Sequence, residues 1–308
     1  LERAGLDYET LKVRYPKLVY AICTGYGEYG PDKDLPGFDF TAFFARGGYL
    51  DSLRQRGTVP MNVVPGLGDH NVGMNLAAGI CAALLQAKLK GVGEKVETSL
   101  FESAIFNMGM MIQASNYEGI AQNYPIDVRK SANPFNAAWR TKDDRFIQTC
   151  MPDFNTYYKA FITAVGREDL ADSQEYFPIL TCQEKGLTSE LYDIVMDAFS
   201  KKTVAEWTLI LEAADIPFAL AKNWMEIRND KQAEANNCFY DMTYSNGNTR
   251  RLVRLPVKFQ EMGVPEYKTG PLIGEQGAEV LKELGYEDAQ IKEMQDKGAL
   301  FVWKDERK

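Results

Sequence analysis

Leu18-Val-Tyr-Ala-Ile-Cys23 is a continuous apolar run, followed at once by the glycine-rich turn Thr24-Gly-Tyr-Gly-Glu-Tyr-Gly-Pro31. Consecutive apolar residues predict a strand covered on both faces, as in a parallel sheet flanked by helices. In an open α/β sheet, the loops at strand C-termini are where ligands bind. The turn holds neither GxGxxG nor GKS/GKT, so it is not a dinucleotide or P-loop fingerprint. Further on, Pro65-Gly-Leu-Gly-Asp-His-Asn-Val-Gly73 places Asp69 after a glycine turn, beside His70, the single histidine of the chain. Small and apolar residues from Gly73 to Ala87 predict a buried helix over 73–88, stopped by Gly91-Val-Gly93. Read alone, Asp69 is a helix N-cap. Glu94-Lys-Val-Glu-Thr98 alternates as a second strand.

Composition sets outer limits. The 308 residues are 45% hydrophobic and 25% charged, enough for a sizeable core and for two domains. A net charge of −8 excludes nucleic acid as the main partner, because phosphate backbones need clustered Lys and Arg. No apolar run reads as long enough for the roughly 20 residues of a bilayer span. The five cysteines are scattered without a CxxC pair, and one histidine leaves no Cys/His metal set, so no metal is expected. Several of them read as small core residues of a protein in a reducing cytoplasm.

The rest of the chain supplies further elements. A short helix is expected within 1–15, a loop over 51–64, and an apolar helix from Leu100 to about Tyr117. Residues 119–134, with Pro125 and Pro134, read as a linker, and Trp139–Thr149 as a hairpin turning at Lys142-Asp-Asp144. Helices follow at 153–165, 187–200, 203–213 and 223–236, the third opened by a Thr203-x-x-Glu206 capping box. Tyr244-Ser-Asn-Gly-Asn248 is a turn between strands, the second running to Phe259; helices at 277–284 and 288–297 and a solvated charge run, Lys304–Lys308, end the chain.

Six stretches in register resemble the class III CoA-transferases, the family of formyl-CoA and carnitine CoA-transferases. They are Gly5–Glu9, Gly25–Pro31, Pro36-Gly-Phe-Asp39, Gly66-Leu-Gly-Asp-His70, Gly91–Val96 and Glu279–Tyr286. Asp39–Gly48, Val64–His70, Tyr244–Thr249 and Leu252–Val257 look most like the family's 2-hydroxyacid branch. The resemblance implies an α/β fold with a Rossmann-like parallel-sheet large domain, discontinuous over 1–120 plus 237–308, and a smaller α+β domain with linkers over 121–236. It also implies an interlocked homodimer. Family members carry a further segment, with the first strands and several CoA contacts, ahead of the stretch matching Gly5–Glu9.

The resemblance places the family's nucleophile on Asp69 and its CoA-contacting loop on Pro36, Gly37, Phe38 and Asp39. The implied reaction moves CoA from a cinnamoyl-CoA-like thioester to a 2-hydroxy acid such as (R)-phenyllactate, in amino-acid fermentation, with a 2-hydroxyacyl-CoA dehydratase as a downstream partner. CoA is then a substrate group and no cofactor is needed. A carboxylate suits covalent acyl exchange. Gly66, Gly68 and Gly73 allow substrate to approach backbone N–H donors that stabilise an oxyanion, and a helix N-terminus suits a negative charge. No step needs proton abstraction, so His70 is a candidate for orientation or for packing rather than for a general base. Lys33 and Arg46 are candidates for CoA phosphates, and Phe40, Phe43, Phe44 and Tyr49 for an aryl pocket or, equally, for core.

Three rivals stand beside this reading. One keeps the chemistry and changes the acid to 2-hydroxyisocaproate or a bile acid. A second is α-methylacyl-CoA racemase chemistry, which in the related branch uses a histidine where this chain has Phe38, so one acid/base group is missing. The third is a truncated, non-catalytic CoA-binding subunit.

Overall fold

The computed structural model describes residues 1–119 and 124–302. The Lys304–Lys308 charge run lies outside the described residues, as does the expected domain boundary at 120/121. The chain divides into two compact units, Leu1–Ala221 and Lys222–Lys308.

The first unit opens with helix α1, Tyr8–Arg14, capped by the Asp7 side chain on the Thr10 N–H. Strand β1, Val19–Thr24, follows. After a π-helical turn, Asp39–Ala45, and the short helix α2, Tyr49–Ser52, comes the long helix α3, Leu67–Lys90. Strand β2, Glu94–Ser99, pairs parallel with β1 from Val19↔Glu94 to Thr24↔Ser99. The expected parallel strands are therefore present, joined by the helical crossover such a pair requires. Burial on both faces does not hold: Ala21 and Cys23 are exposed, and among the described residues this sheet has two strands only.

Helix α3 differs from its expected form in two ways. It starts at Leu67 rather than near Gly73, because Gly66, in the left-handed conformation at φ 85°, serves as N-cap and lets the chain turn directly into the helix. It also has the length and apolar composition of a bilayer-crossing segment, with a mean hydropathy of 1.4 in its most apolar stretch. That corrects the expectation that no run is long enough. In the fold this helix packs against β1, β2 and α4, Leu100–Asn107. The apolar helix expected over 100–117 is broken at Met108 into α4 and α5, Gly109–Ala114.

Two separate sets of buried side chains serve this unit. The smaller comprises Ala42, Phe43, Phe44, Val72, Leu100 and Ala104, beneath the glycine turns. The larger gathers residues from Phe135 to Ile216 around an aromatic column. Its frame is an antiparallel sheet of β3 (Ala138–Arg140), β4 (Phe146–Thr149) and β5 (Phe218–Leu220), with Trp139 opposite Ile147. The expected hairpin is thus present, with Asp144 at φ 58° in its turn. Four helices complete the frame: α6 (Phe154–Ala164), α7 (Ile179–Glu184), α8 (Thr188–Phe199) and α9 (Val204–Ala213). Of these, α7 had no counterpart in the sequence reading. The Thr203/Glu206 capping box opens α9 as expected. Of the five cysteines, Cys182 alone is buried, while Cys23, Cys81 and Cys150 are exposed, so the core reading holds for one.

The second unit comprises α10 (Trp224–Arg228), α11 (Lys231–Ala235), the antiparallel hairpin β6 (Phe239–Thr243) and β7 (Thr249–Val253), α12 (Gly277–Glu283) and α13 (Asp288–Asp296). The hairpin turns at the expected Tyr244–Asn248 segment, but β7 ends at Val253 rather than reaching Phe259.

The large core offers a direct stability test. Trp139 is fully buried and its indole N–H donates to Thr149 Oγ1 at 2.7 Å. Thr149→Val keeps the shape and strands that donor. Equilibrium urea unfolding should register a loss of about 1–3 kcal/mol.

Candidate active site

The Gly25–Pro31 turn and the Pro36–Asp39 loop meet through bare backbone. A Cβ added to Gly25 would lie 2.5 Å from the Gly37 Cα, and one added to Gly37 would lie 2.3 Å from the Gly25 Cα. No side chain fits at either position, which explains two of the glycines in these motifs. Further ties fix the first turn at the C-terminal end of the parallel strands. The Gly27 N–H donates to Thr24 Oγ1 at 2.9 Å, the Phe101 N–H donates to the Gly25 carbonyl at 3.1 Å, and Glu28 pairs with Lys95 of β2.

From Gly37 the chain passes through exposed Phe38, whose N–H donates to Thr41 Oγ1 at 3.1 Å, to buried Asp39. The Asp39 carboxylate accepts the Gly66 N–H at 2.6 Å. Its other oxygen, Oδ1, is buried without a partner among the described residues. The structure thus brings two stretches together that lie far apart in sequence, the Pro36–Asp39 loop and the Asp69 turn. Asp39, placed in the CoA-contacting loop by resemblance, is turned inward and only 8% exposed.

Asp69 is the third residue of α3, inside its first turn. It is therefore not the helix cap; Gly66 is, and no side chain caps this helix. The Asp69 side chain is exposed and makes no hydrogen bond or ion pair among the described residues. The first helical bond of α3 runs from the His70 N–H to the Gly66 carbonyl at 2.9 Å. The N–H groups of Leu67, Gly68 and Asp69 precede that bond and have no helical acceptor. An open carboxylate beside such donors can attack a carbonyl whose developing oxyanion the amides would hold. His70 is also exposed. As the next residue on the helix it faces a different side from Asp69.

The glycines divide by position. Gly68 is buried against the Asp39 carboxylate and the Phe43 ring: a Cβ there would lie 2.3 Å from Asp39 Oδ1 and 2.4 Å from Phe43 Cγ. Gly73 lies inside α3, with open space where a Cβ would go. It is not part of the turn at the helix start.

Of the aromatic residues weighed for an aryl pocket, Phe43 and Phe44 are core, with Phe43 stacked on Tyr49 at 5.0 Å. Arg46 pairs with Asp32 at 2.6 Å and lies over the Tyr26 and Phe101 rings, both 5.5 Å away, so it holds the glycine turn's surroundings. Lys33 is exposed.

Cys23 was not singled out from sequence as a site residue, yet it lies at the end of β1 near Asp69. Crowding of its sulfur by protein atoms, and after that the Asp69 charge, push the thiol above its ordinary value. The only signal for it in the sequence was its place as last residue of the apolar run before the glycine turn.

Comparison with known proteins bears on the family and the fold. The profile of CoA-transferase family III matches residues 1–277. A cinnamoyl-CoA:phenyllactate CoA-transferase of Clostridium sporogenes is 51% identical over 305 residues, covering 99% of this chain and 74% of the relative. An (R)-2-hydroxy-4-methylpentanoate CoA-transferase of Clostridioides difficile is 38% identical over 296 residues, covering 96% of this chain and 73% of the relative. Among solved structures, a CaiB/BaiF family protein from Brucella suis superposes with a TM-score of 0.74 at 20% identity, over 92% of this chain and 72% of that one. Rv3272 from M. tuberculosis gives 0.72 at 22% identity, over 85% and 68%. These two likenesses bear on the fold.

Two outcomes follow from the geometry. Gly37→Ala should lower stability by about 1–3 kcal/mol in urea unfolding, because backbone cannot yield as a flexible side chain does. Asp69→Asn should speed alkylation of Cys23 by iodoacetamide at pH 8, read by mass spectrometry. Removing the neighbouring negative charge lowers the thiol's pKa and raises its thiolate fraction. With its fold, the register of its motifs and a profile matched over residues 1–277, the chain belongs to CoA-transferase family III.

Proposed function

We propose that this enzyme transfers CoA from cinnamoyl-CoA, or a closely similar aryl acyl-CoA, to (R)-phenyllactate, with Asp69 as the nucleophile. The observation that carries the substrate assignment is the 51% identity to the Clostridium sporogenes enzyme over 99% of the chain. The chemistry rests on Asp69, an exposed carboxylate at a helix start whose first amides have no helical acceptor.

The steps balance without a cofactor, CoA being a substrate group. The Asp69 carboxylate attacks the thioester carbonyl, the C–S bond breaks, and CoA thiolate leaves an aspartyl–acyl mixed anhydride. The thiolate then attacks the aspartyl carbonyl, releasing the donor acid and forming an aspartyl-CoA thioester. The acceptor carboxylate attacks that thioester, expelling thiolate and giving a second mixed anhydride. Thiolate attack on the acceptor's carbonyl forms the new acyl-CoA and regenerates Asp69. Each tetrahedral state carries an oxyanion, and the amides of Gly68 and its neighbours are the donors available to it. Water must be kept out, since every intermediate hydrolyses. No step takes a proton from carbon, which fits Phe38 where a racemase would need a second acid/base group.

The assignments of Pro36, Gly37 and Phe38 to CoA contact, and the interlocked homodimer, belong to this proposal. So does the division into a large domain of 1–120 with 237–308 and a small one of 121–236. The same holds for cytoplasmic residence and for a dehydratase that consumes the product. A second acceptor, (R)-2-hydroxy-4-methylpentanoate, is favoured by the 38% identity to the Clostridioides difficile enzyme.

The test supplies cinnamoyl-CoA with isotopically labelled (R)-phenyllactate or (R)-2-hydroxy-4-methylpentanoate and follows label into the acyl-CoA. Phenyllactate should be preferred, and a reversal would reassign the acid. Asp69→Asn should lower turnover about 10⁴-fold or more, as for loss of a covalent nucleophile. Hydroxylamine should modify Asp69 only when acyl-CoA is present. Persistent exchange in the variant would remove Asp69 from the mechanism.

A further inference from the structure

Asp39 is a buried carboxylate that the exchange chemistry does not use. It is 8% exposed, its Oδ2 accepts the Gly66 N–H at 2.6 Å, and its Oδ1 is buried with no hydrogen-bond partner among the described residues. Buried carboxylate oxygens are rarely left unsatisfied, and each instance calls for a reason. The surroundings supply one. Oδ1 lies in the space that a Gly68 Cβ would need, 2.3 Å from where that atom would sit. The carboxylate therefore touches two residues of the Gly66–Asp69 turn at once. Its own backbone follows Gly37, which is locked against Gly25.

We propose that Asp39 is a positioning residue for CoA transfer. Holding Gly66 and seated on Gly68, it fixes the first turn of α3, and so the Asp69 carboxylate, to the Pro36–Asp39 loop. This assigns Asp39 a task other than contacting CoA, the role its loop suggested. The side chain does not reach substrate; it acts through the turn. Displacing a reacting group by about 1 Å is enough to lower a rate about 10²-fold. One hydrogen bond and one packing contact at the base of the turn therefore have leverage on turnover. The requirement is for an acceptor of the carboxylate's shape rather than for its charge.

The inference rests on Asp69 being the nucleophile, and the experiment separates the two. Transfer is assayed with the full chain and saturating acids for Asp69→Asn, Asp39→Asn, Asp39→Leu and Gly68→Ala. Asp39→Asn keeps an acceptor for the Gly66 N–H, and Asp39→Leu keeps the volume and loses it. Asp39→Leu should lose about 10²-fold in kcat with KM for the acyl-CoA changed less than about threefold, and Asp39→Asn should retain most of the activity. Gly68→Ala leaves Asp39 in place and displaces its carboxylate, so it should lower kcat in the same way even if the leucine variant does not fold. Unchanged kcat in Asp39→Leu or Gly68→Ala, or a KM increase alone, would overturn the positioning role. Loss in Asp39→Asn equal to that in Asp39→Leu would overturn the acceptor requirement. An active Asp69→Asn would instead sink the nucleophile reading.

Discussion

The contact between Gly25 and Gly37 is the constraint on which the site depends. Two backbones approach so closely that neither position has room for a methyl group. The glycine turn after β1 is tied in turn to β2 and α4, and the Pro36–Asp39 loop continues into the π-helical turn over the small core. Holding these loops face to face gives the Asp39 carboxylate a fixed origin from which to reach Gly66. Remove that close approach and the Asp39 tie to Gly66 loses its fixed origin. The helix would still form and pack on β1 and β2, with Gly68 against Phe43, but without that tie to its first turn.

The surrounding architecture serves this arrangement. Parallel pairing sets the C-terminal ends of β1 and β2 side by side, and the crossover helix α3 returns its N-terminus to that same end. Phe43 and Phe44 fill the space beneath, with Phe43 also against Gly68. Side chains that looked available for ligand from sequence are thereby spent on support: Arg46 between two rings and Asp32, Asp39 on Gly66. Phe38 and Asp69 stay outward, as do Lys33 and His70.

Local signals were the legible ones. The apolar run of β1, the Asp-bearing hairpin turn at Asp144 and the Thr203/Glu206 capping box are each decided by neighbours a few residues apart, and each is present. The start of α3 was misplaced because its apolar periodicity begins well after its cap: Gly66 turns the chain through backbone conformation, and the first turn is built of small and polar residues. The break at Met108 has no proline or glycine signal at the breaking residue itself. Cys23 was missed, and Asp39 was read only as part of a CoA-contacting loop, for a different reason. By resemblance the whole Pro36–Asp39 loop contacts CoA, and a cysteine in a strand reads as a small core residue. Their actual settings are created by residues distant in the chain, which periodicity and spacing do not reach.

The missing side-chain cap of α3 has a thermodynamic meaning. Helices usually satisfy their first amides with Ser, Thr, Asp or Asn, and a glycine in that place costs roughly a few tenths of a kcal/mol of local stability. Here the cap is a glycine and the amides of the opening turn have no helical acceptor. An anionic oxygen formed there in the proposed reaction would complete the helix as a cap residue does. Ligand occupancy and the order of the helix end then become linked quantities, each raising the other. On the proposed reaction, an oxyanion formed beside Asp69 would supply the acceptor that the first turn of α3 lacks.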